Sequence, residues 1–414
     1  MLKDLFKEKV FCGLDIGTKA IKAALIKIEP SNQKEVLGFS DHKTFGIRDS
    51  SVSDLSEFSD CVHSVLDDLS KKSKTRFKLI NLGIGCEHIQ VRKATSVMPL
   101  LDKQGKIISS RDVQDVNENA HLIGVKLEEE VLHTLPEYYL INDDNIAVNP
   151  IGLHAKKLGV SCLLVVAKVN FLRNISRAVN QAGYEVGKIY FNSFAAGEAV
   201  LSAEDKKAGC LLIDIGSKIT TVMFYKDGVL KHLHKIDKGG NAFTEDIAEK
   251  LALNLELAEE IKKTYAIASS SEKYNEEEIL IKRENNYFPI KRELIYRSIE
   301  GEIIALVSGI KEFILESGIL SEIANGIVFI GGGSLLPGLI EKIGAETKLQ
   351  VRLGKALGVT YKNPYRGPLY SASIGLAFGP ISRSTAPANI SSSSRPNIFL
   401  QAVNKVKDLY FEYF

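Results

Sequence analysis

Asp15-Ile16-Gly17-Thr18-Lys19 returns, almost unchanged, as Asp214-Ile215-Gly216-Ser217-Lys218 half a chain later. Each copy follows an apolar run (residues 10–14 and 210–213) and precedes a second β-rich run (21–28 and 220–225). The pattern predicts an acidic residue and a tight turn between the strands of a hairpin. One copy alone reads as an ordinary turn; two predict related halves facing each other across a cleft. Gly331-Gly332-Gly333-Ser334 follows a third apolar run, 327–330. A nucleotide between the halves would explain all three.

Bulk properties agree with an ordinary soluble globular protein. A chain of 414 residues is too long for one small core. Hydrophobic residues make up 45% and charged ones 25%, the balance of an ordinary globular protein. The 53 basic and 51 acidic side chains leave a net charge of +2, without the basic stripe of nucleic-acid binders, so no nucleic-acid partner is expected. No apolar run reaches the roughly 18–20 residues of a membrane span, and the first ten residues lack a signal-peptide core. The expected location is the cytosol. Five cysteines without Cys-x-x-Cys spacing read as buried thiols. His232 and His234 share a strand face but have no evident further metal ligands nearby.

The pattern of elements predicts a first-half core at 1–85 and 162–205. It is interrupted by an inserted α+β subdomain at 86–161, where the texture turns polar and loop-rich. A second-half core is expected at 206–236 and 301–380. Between its parts lies a mostly helical subdomain, 237–300, broken by a charged, turn-rich stretch. A Ser/Pro/Ala/Asn-rich segment at 381–397 reads as a flexible linker, and 398–414 as a terminal helix.

A polyphosphate needs many donors at short range and a cation. Turns of small residues aim successive backbone N–H groups inward. Gly17, Thr18 and Lys19 do so in the first copy, with Lys22 in reach of a phosphate as a point charge. Gly216, Ser217 and Lys218 do so in the second, with the Thr220 hydroxyl. Asp15 and Asp214, on opposite walls, suit a Mg²⁺ that keeps most of its waters. Gly331, Gly332, Gly333 and Ser334 would let backbone approach a base or phosphate. Gly239-Gly240 precedes a helix expected to begin near Phe243, where N–H groups are free. Glu259 and Lys262 share a helix face and read either as a solvated ion pair or as contacts to ribose hydroxyls.

These motifs resemble the actin/Hsp70/hexokinase ATPase superfamily. Asp15-x-Gly17-Thr18-x-x-x-Lys22 is similar to its first phosphate loop, Asp214-x-Gly216-x-x-x-Thr220 to the second, and Ile330-Gly331-Gly332-Gly333-Ser334-x-x-Pro337-Gly338 to the adenosine loop. Within that superfamily the chain resembles the FtsA family of bacterial cell-division proteins. Lys238-Gly239-Gly240-x-x-x-Thr244-x-Asp246-Ile247 and Ala258-Glu259-x-Ile261-Lys262 carry that likeness. So do His133-x-x-Pro136-x-x-Tyr139 and Asn149-Pro150-x-Gly152 in the insertion. The resemblance implies an actin-like ATPase fold, two related halves around a nucleotide cleft, with ATP and Mg as ligands.

It also implies self-association into protofilaments and a partner, the C-terminal peptide of the tubulin-like FtsZ, docked on the helical subdomain. Lys291, Arg292 and Arg297 are the basic candidates to hold that peptide. Other divisome proteins would dock on the insertion, at the division site. Ser217, Lys218 and Thr221 depart from the family's usual glycines and acid, and Glu198 is a weak candidate for positioning water. Tight ATP binding with slow turnover is therefore expected. A scaffold of type IV pilus assembly and a small-molecule kinase are the rival readings.

On a helical wheel, the apolar residues of 398–414 fall in an arc of roughly 160°. Phe399, Val403, Val406, Tyr410, Tyr413 and Phe414 lie on it. The helix either docks on protein or lies on a membrane surface, and its long leash argues for the membrane. That places the protein peripherally on the cytoplasmic face of the cell membrane. Several tails on one polymer would bind far more firmly than one.

Overall fold

Both Asp-x-Gly copies close the first strand of a sheet in the computed structural model. The model describes residues 9–29, 33–48, 51–85, 88–100, 105–269, 277–283, 286–360 and 367–378. In the first half, β1 (Lys9–Ile16) and β2 (Ala20–Ile28) form the expected hairpin, and β3 (Lys34–Lys43) continues it. Helix α1 (Leu55–Ser73) starts where the Asp54 side chain accepts from the Glu57 N–H, and ends at Lys74 in the left-handed region. Its face of Phe58, Val62, Val65, Leu66 and Leu69 is fully buried, worth about 1.5–3 kcal/mol per side chain. β4 (Leu79–Ile84) then runs parallel to β1.

The insertion follows: β5 (Ile89–Pro99), α2 (Ser110–Gly124), β6 (Glu129–Ile141), β7 (Asn145–Ala147) and β8 (Lys157–Lys168). Its antiparallel sheet has the order β7-β6-β8-β5, and α2 opens with a Ser109/Asp112 capping box. The boundary expected at residue 161 falls inside β8. Cys162, Leu164 and Val166 join the insertion's core, while Leu163, Val165 and Ala167 join that of the first half. A strand buried on both faces reads as a continuous apolar run, which is why 162–169 resembled a first-half strand.

After α3 (Val169–Gln181), β9 (Glu185–Phe191) runs parallel to β4. Helices α4 (Asn192–Val200) and α5 (Ala203–Ala208) lead to the second half. There β10 (Cys210–Ile215), β11 (Thr220–Lys226) and β12 (Val229–Ile236) repeat the hairpin and its third strand. Helices α6 (Gly240–Lys250) and α7 (Leu255–Tyr265) follow. The stretch expected to be charged turns holds a hairpin, β13 (Glu278–Arg283) with β14 (Asn286–Lys291). Ile279 and Ile290 pair on its buried side. Helix α8 (Arg292–Glu316) runs unbroken through the expected boundary at 300. β15 (Ile327–Ile330), α9 (Leu339–Thr347), β16 (Val351–Leu353), β17 (Val359–Thr360) and α10 (Gly367–Ala377) complete the described chain.

The repeat extends to whole sheets. The first has the order β9-β4-β1-β2-β3 with β17 added at its edge, and the second β16-β15-β10-β11-β12. In both, two parallel strands adjoin the Asp-bearing strand on one side and two antiparallel strands on the other. Helix α10 returns from the second half to the first: Asn81 donates to Leu376 O at 2.9 Å and Ser373 to Lys22 O at 3.1 Å. No helix among the described residues is long and apolar enough to cross a membrane. The linker and terminal helix, with Phe399, Val403, Val406, Tyr410, Tyr413 and Phe414, lie outside the described residues.

Candidate nucleotide cleft

Strand register makes the two turns equivalent: Asp15 pairs with Lys22 across the first hairpin, and Asp214 with Thr221 across the second. The two aspartates meet at one feature that the sequence reading missed. Asn192 and Ser193, the first residues of α4, hold one each. Asn192 Nδ2 donates to Asp15 Oδ1 at 2.9 Å and Ser193 Oγ to Asp214 Oδ2 at 2.7 Å. The Ser193 N–H donates to Asn192 Oδ1 at 2.8 Å, which fixes the pair. The available signal was a polar Asn-Ser at a strand-to-helix junction between Phe191 and Phe194, at the carboxyl end of a parallel strand where α/β folds bind ligands.

The carboxylates sense each other. Burial pushes the Asp214 carboxyl above its ordinary range, and the Asp15 charge pushes it further, against the Ser193 hydrogen bond and Lys22. Lys22 Nζ lies 3.8 Å from Asp15 Oδ2. Two carboxylates and one ammonium brought together in the cleft suit a hydrated divalent cation with an anionic ligand, so the residues present fit Mg²⁺.

Gly331 has φ +84°, and a side chain there would come within 2.5 Å of both Asp214 Oδ1 and Ile215 O. Only glycine permits that approach. The Ser334 hydroxyl, buried, donates to Gly331 O at 2.7 Å, so it braces its own loop. Gly332 is exposed and Gly333 is partly exposed.

The second turn is fastened to α6. Gly240 N–H donates to Gly216 O at 2.9 Å and Asn241 N–H to Ser217 O at 2.7 Å. The helix thus begins at Gly240, not near Phe243, and the N–H groups of Gly240 and Asn241 are not free as expected. The Thr220 hydroxyl is also engaged; it is fully buried and donates to Lys238 O at 2.8 Å. Ser217 is half-buried, whereas Lys218 and Thr18 are exposed. In the first turn the Gly17 carbonyl accepts instead from the Thr44 hydroxyl at 2.7 Å.

Glu259 and Lys262 are not a solvated pair. Glu259 is only 13% exposed and accepts from Lys262 at 2.7 Å, Thr244 at 2.5 Å and, across the cleft, Lys19 at 2.6 Å. Burial alone would raise its carboxyl, but hydrogen bonds from Lys19, Lys262 and Thr244 outweigh that and hold it at about 2. Burial pulls Lys262 below the usual lysine range, against the pull of Glu259. Lys262 Nζ also donates to Gly240 O at 2.6 Å, tying α7 to the start of α6.

Other expected sites are not assembled. Glu198 forms a buried pair with Lys206 at 2.6 Å, away from water. Arg292 is clamped by Tyr265 O at 2.9 Å and Glu277 at 2.8 Å, and Arg297 pairs with Glu293 on its own helix. Of the three basic candidates only Lys291 has no part in such a pairing among those described, and it is exposed. No group of three or more potential metal-ligating residues was found among the described residues.

A family model described as cell division protein FtsA matches residues 211–375, and one for the SHS2 domain inserted in FtsA matches 86–166. The cell division protein FtsA of Pseudomonas aeruginosa is 27% identical over 371 residues, 89% of this chain and 88% of its own length. That of Escherichia coli K12 is 26% identical over 378 residues, 89% of each chain. Among solved structures, the PilM–PilN type IV pilus biogenesis complex matches at 18% identity and TM-score 0.66, covering 91% of this chain and 99% of its own. MreB5 of Spiroplasma citri bound to AMPPNP matches at 14% identity and TM-score 0.52, covering 89% and 94%. The fold is that of the actin-like ATPases. With the two family models together matching more than half of the chain and relatives aligned along nearly nine-tenths of it, the chain belongs to the FtsA family of cell division proteins.

Proposed function

We propose that this chain binds ATP between its twin turns, polymerises, and tethers FtsZ to the cytoplasmic face of the cell membrane through residues 398–414, recruiting further divisome proteins through its insertion. The observation that carries the nucleotide reading is the Asn192–Ser193 pair, which holds the aspartates of both halves within one cleft. In this reading Lys22 meets the phosphates, backbone N–H groups of 17–19 and 216–218 line them, and Gly331–Gly333 admit the base. Glu259 and Lys262 take the ribose. Asp15 and Asp214 would hold Mg²⁺ through water, and the metal would neutralise the phosphate chain. The subdomain limits follow the sheets, with the insertion extended to the end of β8.

Turnover is slow in this reading, because the carboxylates near the turns are already hydrogen-bonded and Glu198 is paired elsewhere. The FtsZ peptide would dock on the subdomain that carries Lys291, at the β13–β14 hairpin and the start of α8. Leu280, Tyr287 and Leu294 there are exposed apolar side chains.

Calorimetric titration with ATP and Mg²⁺ tests the cleft; no heat of binding, or steady-state turnover near the enzyme median of about 10 s⁻¹, would refute the reading. Co-sedimentation with liposomes, with and without residues 398–414, tests the anchor, and survival of binding after truncation would sink it. Capture of the chain by an immobilised FtsZ C-terminal peptide tests the partner.

A further inference from the structure

The mouth of the cleft is crossed by two ion pairs with a shared architecture. Lys19 of the first turn reaches Glu259 at 2.6 Å, and Lys43 at the end of β3 reaches Glu256 at 3.1 Å. The two lysines belong to one unit. Ala20 is paired with Lys43 in the sheet, and the Thr44 N–H donates to Lys19 O at 3.1 Å. The two glutamates, three apart on α7, share one helix face. One rigid edge of the first half therefore carries two cations to one helical face of the second.

We propose that Lys19–Glu259 and Lys43–Glu256 form a clasp across the cleft, which opens and recloses each time a nucleoside polyphosphate enters or leaves. The proposal rests on the nucleotide reading of the same cleft. The chemistry makes it a swap at the inner tooth. An incoming phosphate chain competes for the Lys19 ammonium while ribose hydroxyls compete for the Glu259 carboxylate. Glu259 keeps Lys262 and, at 3.4 Å, Lys263 when Lys19 leaves. Release therefore strands no buried charge, which makes the clasp reversible. The outer tooth is far more exposed, at 58% and 85%, so it adjusts rates modestly. The low value of the Glu259 carboxyl keeps that side of the inner tooth charged throughout the neutral range.

The outer tooth offers the test, since neither partner is assigned to nucleotide contact. Lys43→Met and Glu256→Gln in the full chain change net charge in opposite directions, so a long-range field on ATP would move the two entry rates oppositely. A clasp instead speeds release of isotopically labelled ATP in both, by about two- to five-fold, the range of an exposed ion pair. The exchanged pair Lys43→Glu with Glu256→Lys should restore the wild-type release rate. Unchanged release in both single variants, or no recovery in the exchanged pair, would overturn the clasp.

If the wild-type chain binds no ATP, it is the nucleotide reading that fails. The clasp is then read from amide hydrogen exchange in α7 without ligand. Faster exchange in both single variants and recovery in the exchanged pair support it; equal exchange in all four proteins overturns it.

Discussion

The two turns share a sequence, a strand register and a sheet, yet they are held by different means. The first is held largely by side chains. Thr44 caps its glycine carbonyl, Lys22 faces Asp15 across the hairpin, and Lys19 leaves the turn for Glu259 in the other half. The second is fastened by backbone. The N–H groups at the start of α6 take the carbonyls of Gly216 and Ser217, and Thr220 ties the neighbouring strand to Lys238 O. The first turn can exchange partners at little cost, because its cations are partly solvated. The second cannot move without exposing the start of a helix. Sequence similarity reported the shared geometry and not the division of labour: one turn is a movable set of charges, the other a fixed wall.

The largest expected effect strikes that wall. Gly239 lies where a side chain would come within 2.6 Å of Ser217 O and 2.7 Å of Gly216 O. Gly239→Ala should push the second turn off α6 and lower stability by about 2–4 kcal/mol, combining steric strain with lost capping. Denaturant midpoints at constant slope will read it. A loss below about 0.5 kcal/mol would mean that the fastening is not what holds the turn. Among the described residues no helix start takes the carbonyls of the first turn as α6 takes those of the second, so the wall should be the more fragile of the two.

A smaller effect has opposite signs in the twin aspartates. Asp214 is raised by burial and by Asp15, so its native carboxyl binds its proton more tightly than in the unfolded chain. The stability this gives is fully present below the unfolded value of about 4 and is lost as pH rises through the folded one. Asp214→Asn should therefore stabilise the ligand-free protein at pH 7 and flatten its acid-to-neutral stability profile. Asp15→Asn should destabilise, because losing the partner of Lys22 at 3.8 Å and the charged acceptor of Asn192 outweighs the relief it gives the Asp214 carboxyl. Both should weaken ATP–Mg²⁺ binding. Equal signs in thermal denaturation without ligand would break the asymmetry.

Much of this was legible in the chain. The apolar and β-rich runs flanking the repeated turn gave both hairpins, and glycine at Gly331 gave the third loop. What was not legible depends on contacts between distant segments. Nothing local marks Thr220 as bonded to Lys238 O or Lys19 as reaching Glu259, 240 positions away. Asn192 and Ser193 were hidden because an Asn-Ser at a helix start reads as a cap, yet here the side chains point to two other strands. β8 misled because both its faces are buried, and Arg292 because an exposed-looking charge at a helix start serves a backbone carbonyl.

The finest test of the comparison uses a single hydroxyl in each half. Thr44 and Thr220 both donate to a backbone carbonyl beside a turn, at 2.7 and 2.8 Å. Replacing either by Val keeps the shape and deletes the donor. Thr44 is partly exposed, so water can replace its hydroxyl at the Gly17 carbonyl, and the loss should be at most about 0.5 kcal/mol. Thr220 is fully buried, and Thr220→Val should cost about 1–2 kcal/mol, that of a carbonyl left without its donor. The ratio matters more than either value. If the two substitutions cost the same, water reaches both turns alike, and the second is no more a fixed wall than the first.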